Sequence, residues 1–477
     1  MNDMTKLADI SSMGSFHLVG INGVGMAAIA RVLLDMGKRV TGSDMQPGMI
    51  ADKLARRGAT IITGHSAENV GDVDLVIATD AVKDTNPECV EAQRRKIPVI
   101  HRPMMLAALA EDYRCVAVTG THGKTSTSAM IAWILDRVGL DPTVLIGADI
   151  PAYDGGGKLG SSDIMVVEAC EAFNSMLLLH PFVGVITSIE PDHLDFHGSY
   201  ENLLISFRRF ANNTTGSCGV LIYNGDDPAA NAIGRISDNA KERYGSAPDA
   251  CVSIVSTTPE TTGTTFTLRV MGDYEITATI PVFGAHTVSN AAGAIAAAMT
   301  LGVDAEDAAT ALSDYRAPRR RFDVRGYYAG ITLIDDYAHH PTEIAAVLSA
   351  ARQRHPDGRI IAVFQPHMYS RTKFLMADFA RCFAGADEII ITEVYAAREP
   401  MKGLPSAPGE MANVARELTD AVAAQESAKY VTFIEQKGAA ARHAWDRAKS
   451  GDVVVLIGAG DIGEEADALA QYAGCTA

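Results

Sequence analysis

Three times along this chain a short β-branched run leads into a turn and then a helix-like stretch: Phe16 to Val19 before Gly20, Cys115 to Val118 before Thr119, and Ile360 to Phe364 before Gln365. A parallel pair of strands needs a crossover of a dozen or more residues, usually a helix, so this alternation restricts the chain to parallel sheets covered by helices. A length of 477 residues is about three domains' worth. Boundaries before Arg114 and at the basic run Arg316 to Arg321 predict domains at 1–112, 113–324 and 325–477. The Thr-rich alternation around Thr264, Phe266, Leu268 and Val270 predicts an antiparallel patch within Cys251 to Ile280, and the Ala-rich Asn290 to Met299 predicts a packed helix.

Composition narrows the partners. Lys and Arg number 41 against 58 Asp and Glu, and a formal charge of −17 disfavours nucleic acid or an anionic membrane surface as the main partner. No stretch is long enough to span a bilayer, and Met1 to Gly14 lacks the pattern of a signal peptide. The seven cysteines (Cys89, Cys115, Cys170, Cys218, Cys251, Cys382 and Cys475) form no CxxC pair and suit a reducing compartment. The expectation is a cytoplasmic protein with no nucleic-acid or membrane partner.

The sharpest motif is Gly120-Thr121-His122-Gly123-Lys124-Thr125, between a strand and the helix-like Ser126 to Leu135. Backbone N–H groups in such a turn face phosphate oxygens, the helix N-terminus adds a positive field, the lysine neutralises charge, and the Thr hydroxyl joins a Mg²⁺ shell. ATP or GTP is the expected ligand. Val118 occupies the place of the first P-loop glycine, which weakens the match. A second cluster, Gly20-Ile21-Asn22-Gly23-Val24-Gly25, departs from the dinucleotide spacing, yet Asp44 follows the next strand where a ribose-binding acid belongs. It supports a diphosphate-bearing ligand and leaves an NAD-dependent oxidoreductase in competition.

Polar groups also gather where strands are expected to end. Glu168-Ala169-Cys170-Glu171 follows Ile164 to Val167, and Pro191-Asp192-His193-Leu194-Asp195 follows Val183 to Ile189. Together they suit a metal beside the phosphates, although an isolated D-H-x-D is more readily a loop ion pair. Asp335-Asp336-Tyr337-Ala338-His339-His340-Pro341 follows Ile331 to Ile334, and a second cluster runs from Gln365 through His367 to Arg371 and Thr372. Arg319, Arg320 and Arg321 form either a solvated linker or a clamp on a triphosphate. The expected fold is α/β with three domains: Rossmann-like N-terminal and C-terminal domains, and a P-loop ATPase-like central domain with the antiparallel patch.

These motifs resemble those of the Mur ligase family over essentially the whole chain. They include Gly20 to Met26, Gly120 to Thr125, Asp336-Tyr337-Ala338-His339-His340-Pro341-Thr342-Glu343, Val394-Tyr395-Ala396-Ala397-Arg398-Glu399-Pro400 and Gly458-Ala459-Gly460-Asp461-Ile462. The resemblance implies a UDP-sugar domain, a central ATPase domain and a C-terminal amino-acid domain. Its implied substrates are ATP, UDP-N-acetylmuramate and L-alanine, with Mg²⁺, replaceable by Mn²⁺, in a monomer or weak homodimer. It implies that Gly120, Thr121, His122, Gly123, Lys124, Thr125 and Ser126 hold the phosphates, that His286 and Asn290 contact the adenine end, and that Arg321 and Asp336 reach ATP. Thr125, Glu168 and His193 are the implied metal ligands. Gly23, Gly25 and Asp44 are implied for the UDP-sugar, and His339, His367 and Arg371 for the alanine side. Lys124, His193, Arg321 and His339 carry the implied catalytic roles.

Two departures stand out. The family's E-A-D-E-S-D pattern reads Glu168-Ala169-Cys170-Glu171-Ala172-Phe173, and its paired serine reads Thr79-Asp80. Several relatives also hold a second metal through a carbamylated lysine, whose place here falls at Phe207 or Arg208, with no lysine between Lys158 and Lys241. A murein tripeptide recycling ligase and a non-catalytic nucleotide-binding regulator complete the alternatives.

Overall fold

The computed structural model describes residues 10–46, 48–83, 85–214, 219–397, 399, 413–425 and 430–476. Three sheets account for its strands. The first contains β1 (Ser15–Val19), β2 (Arg39–Asp44), β3 (Thr60–Thr63), β4 (Leu75–Ala78) and β5 (Val99–His101) in the order β3-β2-β1-β4-β5, with every pairing parallel. That is a doubly wound arrangement, whose strand order reverses beside β1.

The second sheet has ten strands: β6 (Arg114–Thr119), β7 (Thr143–Ile150), β8 (Gly155–Lys158), β9 (Ile164–Glu168), β10 (Val183–Ile186), β11 (Val220–Asn224), β12 (Ala240–Gly245), β13 (Val252–Glu260), β14 (Gly263–Val270) and β15 (Tyr274–Ile280). Its order is β15-β14-β13-β12-β11-β10-β6-β9-β7-β8, with β6 parallel to both β9 and β10. The expected antiparallel patch is present. Thr265–Thr279, Thr267–Thr277 and Arg269–Glu275 form successive cross-strand rungs at 2.7, 3.0 and 2.7 Å, running in opposite directions along β14 and β15. At the other edge β7 and β8 form a second antiparallel pair, which the sequence reading did not foresee.

The third sheet comprises β16 (Asp323–Tyr328), β17 (Ile331–Asp336), β18 (Ile360–Phe364), β19 (Glu388–Ile391), β20 (Val431–Phe433) and β21 (Val453–Ile457) in the order β16-β17-β21-β18-β19-β20. All pairings are parallel except β16–β17. Its strands are apolar on both faces because helices cover both. Ile360, Ala362 and Phe364 join one core cluster, whereas the alternating Ile361 and Val363 join another.

Two strand ends differ from expectation by more than one residue. β10 stops at Ile186, because Thr187 and Ser188 turn to bond the phosphate-loop backbone. Asp335 and Asp336 lie inside β17, where parallel pairing with β21 carries the ladder past the apolar run.

By compactness the chain divides into two units. The first holds residues up to Ser256, Thr267–Ala278 and Ser289–Pro318; the second holds Thr257–Phe266, Thr279–Val288 and residues from Arg319 onward. In the first unit one apolar cluster runs from Phe16, Leu18 and Ile29 of the first sheet layer to Val167, Ile186 and Phe207 around the second. No helix among the described residues is long and apolar enough to cross a membrane.

Candidate active site

The phosphate loop in the first unit is shaped by two glycines with left-handed φ. Gly120 (φ +141°) passes so close to Thr187 and Ser188 that a Cβ would fall 2.0 Å from Thr187 Oγ1. At Gly123 (φ +80°) a Cβ would sit 2.6 Å from Asn290 Oδ1, which places Asn290 against this turn. The loop is held open by Thr121 N donating to Ser188 O (2.7 Å) and His122 N donating to Ser188 Oγ (3.0 Å). The helix Lys124–Arg137 begins at the lysine itself, two residues before the expected start, so Lys124, Thr125 and Ser126 occupy its first turn. The unsatisfied N–H groups and positive end of that helix belong to the loop.

Around this turn the carboxyl ends of β9 and β10 bring in three groups. Thr125 Oγ1 donates to Glu168, with both carboxylate oxygens at 3.1 Å, and Gly147 N donates to Glu168 Oε2 at 3.2 Å. Lys124 Nζ lies 2.8 Å from Glu171 Oε2 and donates to Thr121 O at 3.1 Å. Burial works against the ammonium form, but Glu171, with Cys170 and Glu168 behind it, outweighs burial and holds the lysine above its usual range. His193, itself left-handed at φ +53°, places Nε2 3.8 Å from Asp192 and 3.9 Å from Glu171. Glu171 thus touches both the phosphate-loop lysine and the histidine, a role the sequence reading quoted the residue for but did not assign. The side chain of Asp195 lies outside the described residues. His122 Nε2 is 3.5 Å from Glu190, a second partner not foreseen.

Hard oxygens from Thr125 and Glu168 meet at 3.1 Å, ligand types that suit Mg²⁺ or Mn²⁺, while the His193 imidazole lies against Asp192 and Glu171.

In the first sheet the glycine cluster wraps the end of β1. Asp44 Oδ2 accepts from Asn22 N (3.1 Å) and Oδ1 accepts from Gln46 N (3.1 Å), so its carboxylate shapes the loop that carries Gly23 and Gly25. Gly20 (φ +84°) leaves 2.6 Å between a notional Cβ and the Thr79 methyl. Arg102, unremarked in the sequence, packs on Gly25 and pairs with Asp80 at 3.7 Å. A cleft lined by Gly25, Ile29, Arg102, Gly147 and Glu168 runs between the two sheets. The first-sheet glycine cluster and the Glu168 carboxylate therefore open on one cleft.

The second unit has its own constellation. Asp336 is 5% exposed, and its carboxylate accepts from Phe322 N (2.6 Å) and Ala338 N (2.7 Å). Burial pushes its pKa up to about 6, against the pull of the Arg321 guanidinium and those two N–H groups. Arg320 and Arg321 lie 5.0 and 5.3 Å from the Tyr337 ring centre, so the basic run is anchored on an aromatic face. Arg320 also pairs with buried Asp335 at 3.4 Å, and Arg319 pairs with Asp323 at 3.3 Å. His286 is exposed near the start of the helix Ala285–Thr300, with its ring against Gly284.

His339, His367, Arg371 and Tyr395 meet at the carboxyl ends of β17, β18 and β19. The His339 and His367 rings are 5.9 Å apart, His367 stacks on Tyr395 at 5.6 Å, and His367 Nδ1 lies 3.0 Å from Arg371 Nη1. His339 Nδ1 faces Tyr337 O (3.1 Å) and Glu343 Oε2 (3.4 Å), two acceptors that favour a proton on Nδ1. Glu343 completes a capping box at the helix Pro341–Arg354. Arg398 and Pro400 lie outside the described residues, while Glu399 accepts from Tyr369 N at 2.6 Å.

Three family models cover the chain in sequence: "Mur ligase family, catalytic domain" over residues 15–114, "Mur ligase middle domain" over 118–298, and "Mur ligase, glutamate ligase domain" over 320–460. The UDP-N-acetylmuramate–L-alanine ligase of Bradyrhizobium diazoefficiens is 41% identical over 468 residues, spanning 96% of this chain and 97% of the relative. The ligase of the same name from Salinibacter ruber is 40% identical, spanning 95% of this chain and 94% of the relative. A crystal structure of UDP-N-acetylmuramate-alanine ligase from Thermotoga maritima superposes with a TM-score of 0.82 at 27% identity, covering 98% of this chain and 100% of that one. A murein peptide ligase from Psychrobacter arcticus shares the fold at a TM-score of 0.71 and 24% identity, covering 96% of this chain and 98% of that one. With three consecutive domain models and near full-length relatives in agreement, the chain belongs to the Mur ligase family.

Proposed function

We propose that this chain is an ATP-dependent ligase that joins L-alanine to the lactyl carboxylate of UDP-N-acetylmuramate in cytoplasmic peptidoglycan precursor synthesis, releasing ADP and phosphate. The observation that carries the reading is the full-length identity to ligases of that name, combined with a phosphate loop whose lysine is already held by acidic groups. A free carboxylate is a poor acyl donor because oxide would have to leave. Phosphorylation by ATP makes an acyl phosphate, which an amine attacks with phosphate as leaving group.

The residues divide by the charges they meet. Gly120, Thr121, His122, Gly123 and Ser126 would present the loop and helix N–H groups to the phosphates, with Lys124 supplying positive charge. Thr125, Glu168 and His193 would hold Mg²⁺, which when bound supplies charge neutralisation at the transferring phosphoryl group. Asn290, His286, Arg321 and Asp336 are assigned to ATP. Gly23, Gly25 and Asp44 are assigned to the UDP-sugar, joined by Arg102 on its Gly25 contact. His367 and Arg371 would receive the amino-acid carboxylate, and His339 would accept a proton from the ammonium through Nε2, since Nδ1 faces acceptors. The domain assignments follow the same division: 1–112 for the UDP-sugar, 113–324 for ATP and 325–477 for the amino acid.

Phosphate release should require ATP, UDP-N-acetylmuramate and L-alanine together. A screen with radiolabelled UDP-N-acetylmuramate should show product with L-alanine. Product only with the murein tripeptide would reassign the chain to recycling, and a change in nicotinamide absorbance would revive the oxidoreductase.

A further inference from the structure

The loop that follows Glu171 holds two consecutive non-glycine residues in the left-handed region. Phe173 and Asn174 adopt left-handed φ of +54° and +55°, and His193 across from them adopts +53°. Non-glycine residues held there cost of order 1 kcal/mol each and persist where the surroundings over-determine them, most often at functional sites. The loop is firmly built. Asn174 N donates to Glu171 O (3.2 Å), Ser175 Oγ to Ala172 O (2.8 Å), Met176 N to Cys170 O (3.0 Å), and the Met176 side chain is fully buried beneath Thr119.

What this backbone displays is aromatic and exposed. Phe173 retains 44% of its surface and Phe196 40%, and the two rings meet edge to face with centres 5.1 Å apart. Phe196 also meets His197, whose Nε2 lies 3.2 Å from the Glu171 carbonyl oxygen. Each phenylalanine stands within three residues of a polar group of the phosphoryl-transfer site: Phe173 follows Glu171, and Phe196 follows His193. Each side chain keeps about two fifths of its surface in solvent, so part of the apolar face of this pair is available to a ligand.

We propose that Phe173 and Phe196 form a platform for the muramyl sugar of the acceptor substrate, packing against its C–H face. This rests on the ligase reading. The carboxylate that takes the phosphoryl group is tethered to that sugar by the short lactyl ether, so the sugar must lie beside Lys124, Glu171 and His193. Pyranose C–H groups carry partial positive charge and match the negative face of a phenyl ring. The platform holds the lactyl carboxylate at the transfer site without adding charge to a cluster already rich in acids.

Calorimetry on the full chain separates the sugar from the nucleotide. Phe173→Ala and Phe196→Ala should weaken UDP-N-acetylmuramate binding by about fivefold to tenfold while leaving UDP binding unchanged, and Phe173→Tyr should restore it. In steady state the alanine variants should raise the KM for UDP-N-acetylmuramate and leave kcat and the KM values for ATP and L-alanine within about twofold. Equal losses for UDP and UDP-N-acetylmuramate, full restoration by Phe173→Leu, or a fall in kcat alone would overturn the platform. An inactive wild type that still binds UDP-N-acetylmuramate would sink the ligase reading, and the UDP comparison would still decide the platform. If either alanine variant loses its native circular dichroism, the other variant and Phe173→Leu against Phe173→Tyr carry the same comparison.

Discussion

At the scale of single residues, the proposed phosphate site is a set of charges held in pairs. Lys124 is 13% exposed and Glu171 1%, so each offsets the charge of the other where burial would otherwise leave it uncompensated. Lys124→Ala should reduce turnover by a hundredfold or more, about 3 kcal/mol of transition-state stabilisation. It should also lower stability by about 3 kcal/mol by stranding the Glu171 carboxylate. Adding Glu171→Gln should recover most of the stability in urea unfolding and none of the activity, whereas unimpaired turnover in the folded single variant would remove Lys124 from the site. His339 offers a different signature. Because its Nδ1 faces Tyr337 O and Glu343, His339→Ala should cost about a hundredfold in kcat/KM for L-alanine, with part of the loss regained as pH rises and more of the amine is neutral. A pH profile parallel to that of the wild type would exclude the general-base role.

At the scale of elements, the strand β8 and the helix Val24–Asp35 show how close backbone approach ties the first sheet to the second. A Cβ on Gly157 would lie 2.3 Å from Ala28 O, so the strand runs directly over the helix with no room for a side chain. Gly157→Ala should destabilise by about 2 kcal/mol or more through overpacking, read as a lower thermal midpoint; an unchanged midpoint would show that the contact yields freely. In the first sheet Glu88, fully buried at the start of the helix Pro87–Arg94, accepts from Ser43 Oγ (2.7 Å) and Asn69 Nδ2 (2.5 Å), with His17 Nε2 at 3.7 Å. Burial alone would raise its pKa, but His17, Ser43 and Asn69 prevail and bring it down to about 2. A carboxylate whose folded pKa is depressed adds stability above its unfolded value near 4.5, lost as pH falls towards 2. Glu88→Gln should therefore cost about 2–3 kcal/mol at pH 7 and shrink that difference steadily between pH 5 and 2. A pH-independent gap in urea unfolding would contradict the charge-based account.

At the scale of the whole molecule, the question is how a chain with −17 formal charge holds a polyphosphate, and local arrangement answers it. In the first unit Lys124 and the start of its helix give a locally positive turn, and in the second Arg320 and Arg321 cluster on Tyr337, each despite the acidic average. The same whole-chain view bears on the second metal. Phe207 is fully buried in the apolar core, Arg208 is exposed, and no lysine lies between Lys158 and Lys241. Arginine stays protonated and does not add to carbon dioxide at cellular pH, so no carbamate forms in that helix. Ligase activity should be the same in buffer stripped of carbon dioxide and in buffer with added bicarbonate. Reversible loss on stripping, restored by bicarbonate, would show a carbamate elsewhere.

What the sequence determined by itself is what local pattern encodes. Continuous apolar runs mark strands buried on two faces, glycines mark the turns after β1 and β6, and Thr alternation marks the antiparallel patch, because strand period and glycine φ are properties of a few adjacent residues. Lys124, Thr125, Glu168 and His193 were singled out for that reason, in or after the strands β6, β9 and β10. Glu171 was in view without a role, since its contact with Lys124 spans 47 positions and depends on how β6 and β9 pair. Arg102 was invisible because its position on Gly25 is set by the folding of β5 beside β4. The pair β7–β8 was missed because Gly155, Gly156 and Gly157 carry no strand signal; Gly156 lies against the β7 backbone at Ile146 and Ala148, and Gly157 against Ala28 of the helix Val24–Asp35, where no side chain fits. Asp335 and Asp336 read as loop because acids disfavour strands, yet β21 pairs beside them, Arg320 and Arg325 face Asp335, and backbone N–H groups satisfy Asp336. Tertiary structure decided these cases because it alone supplies partners distant in sequence, and a buried charge or a bare glycine strand is stable only with its partner in place.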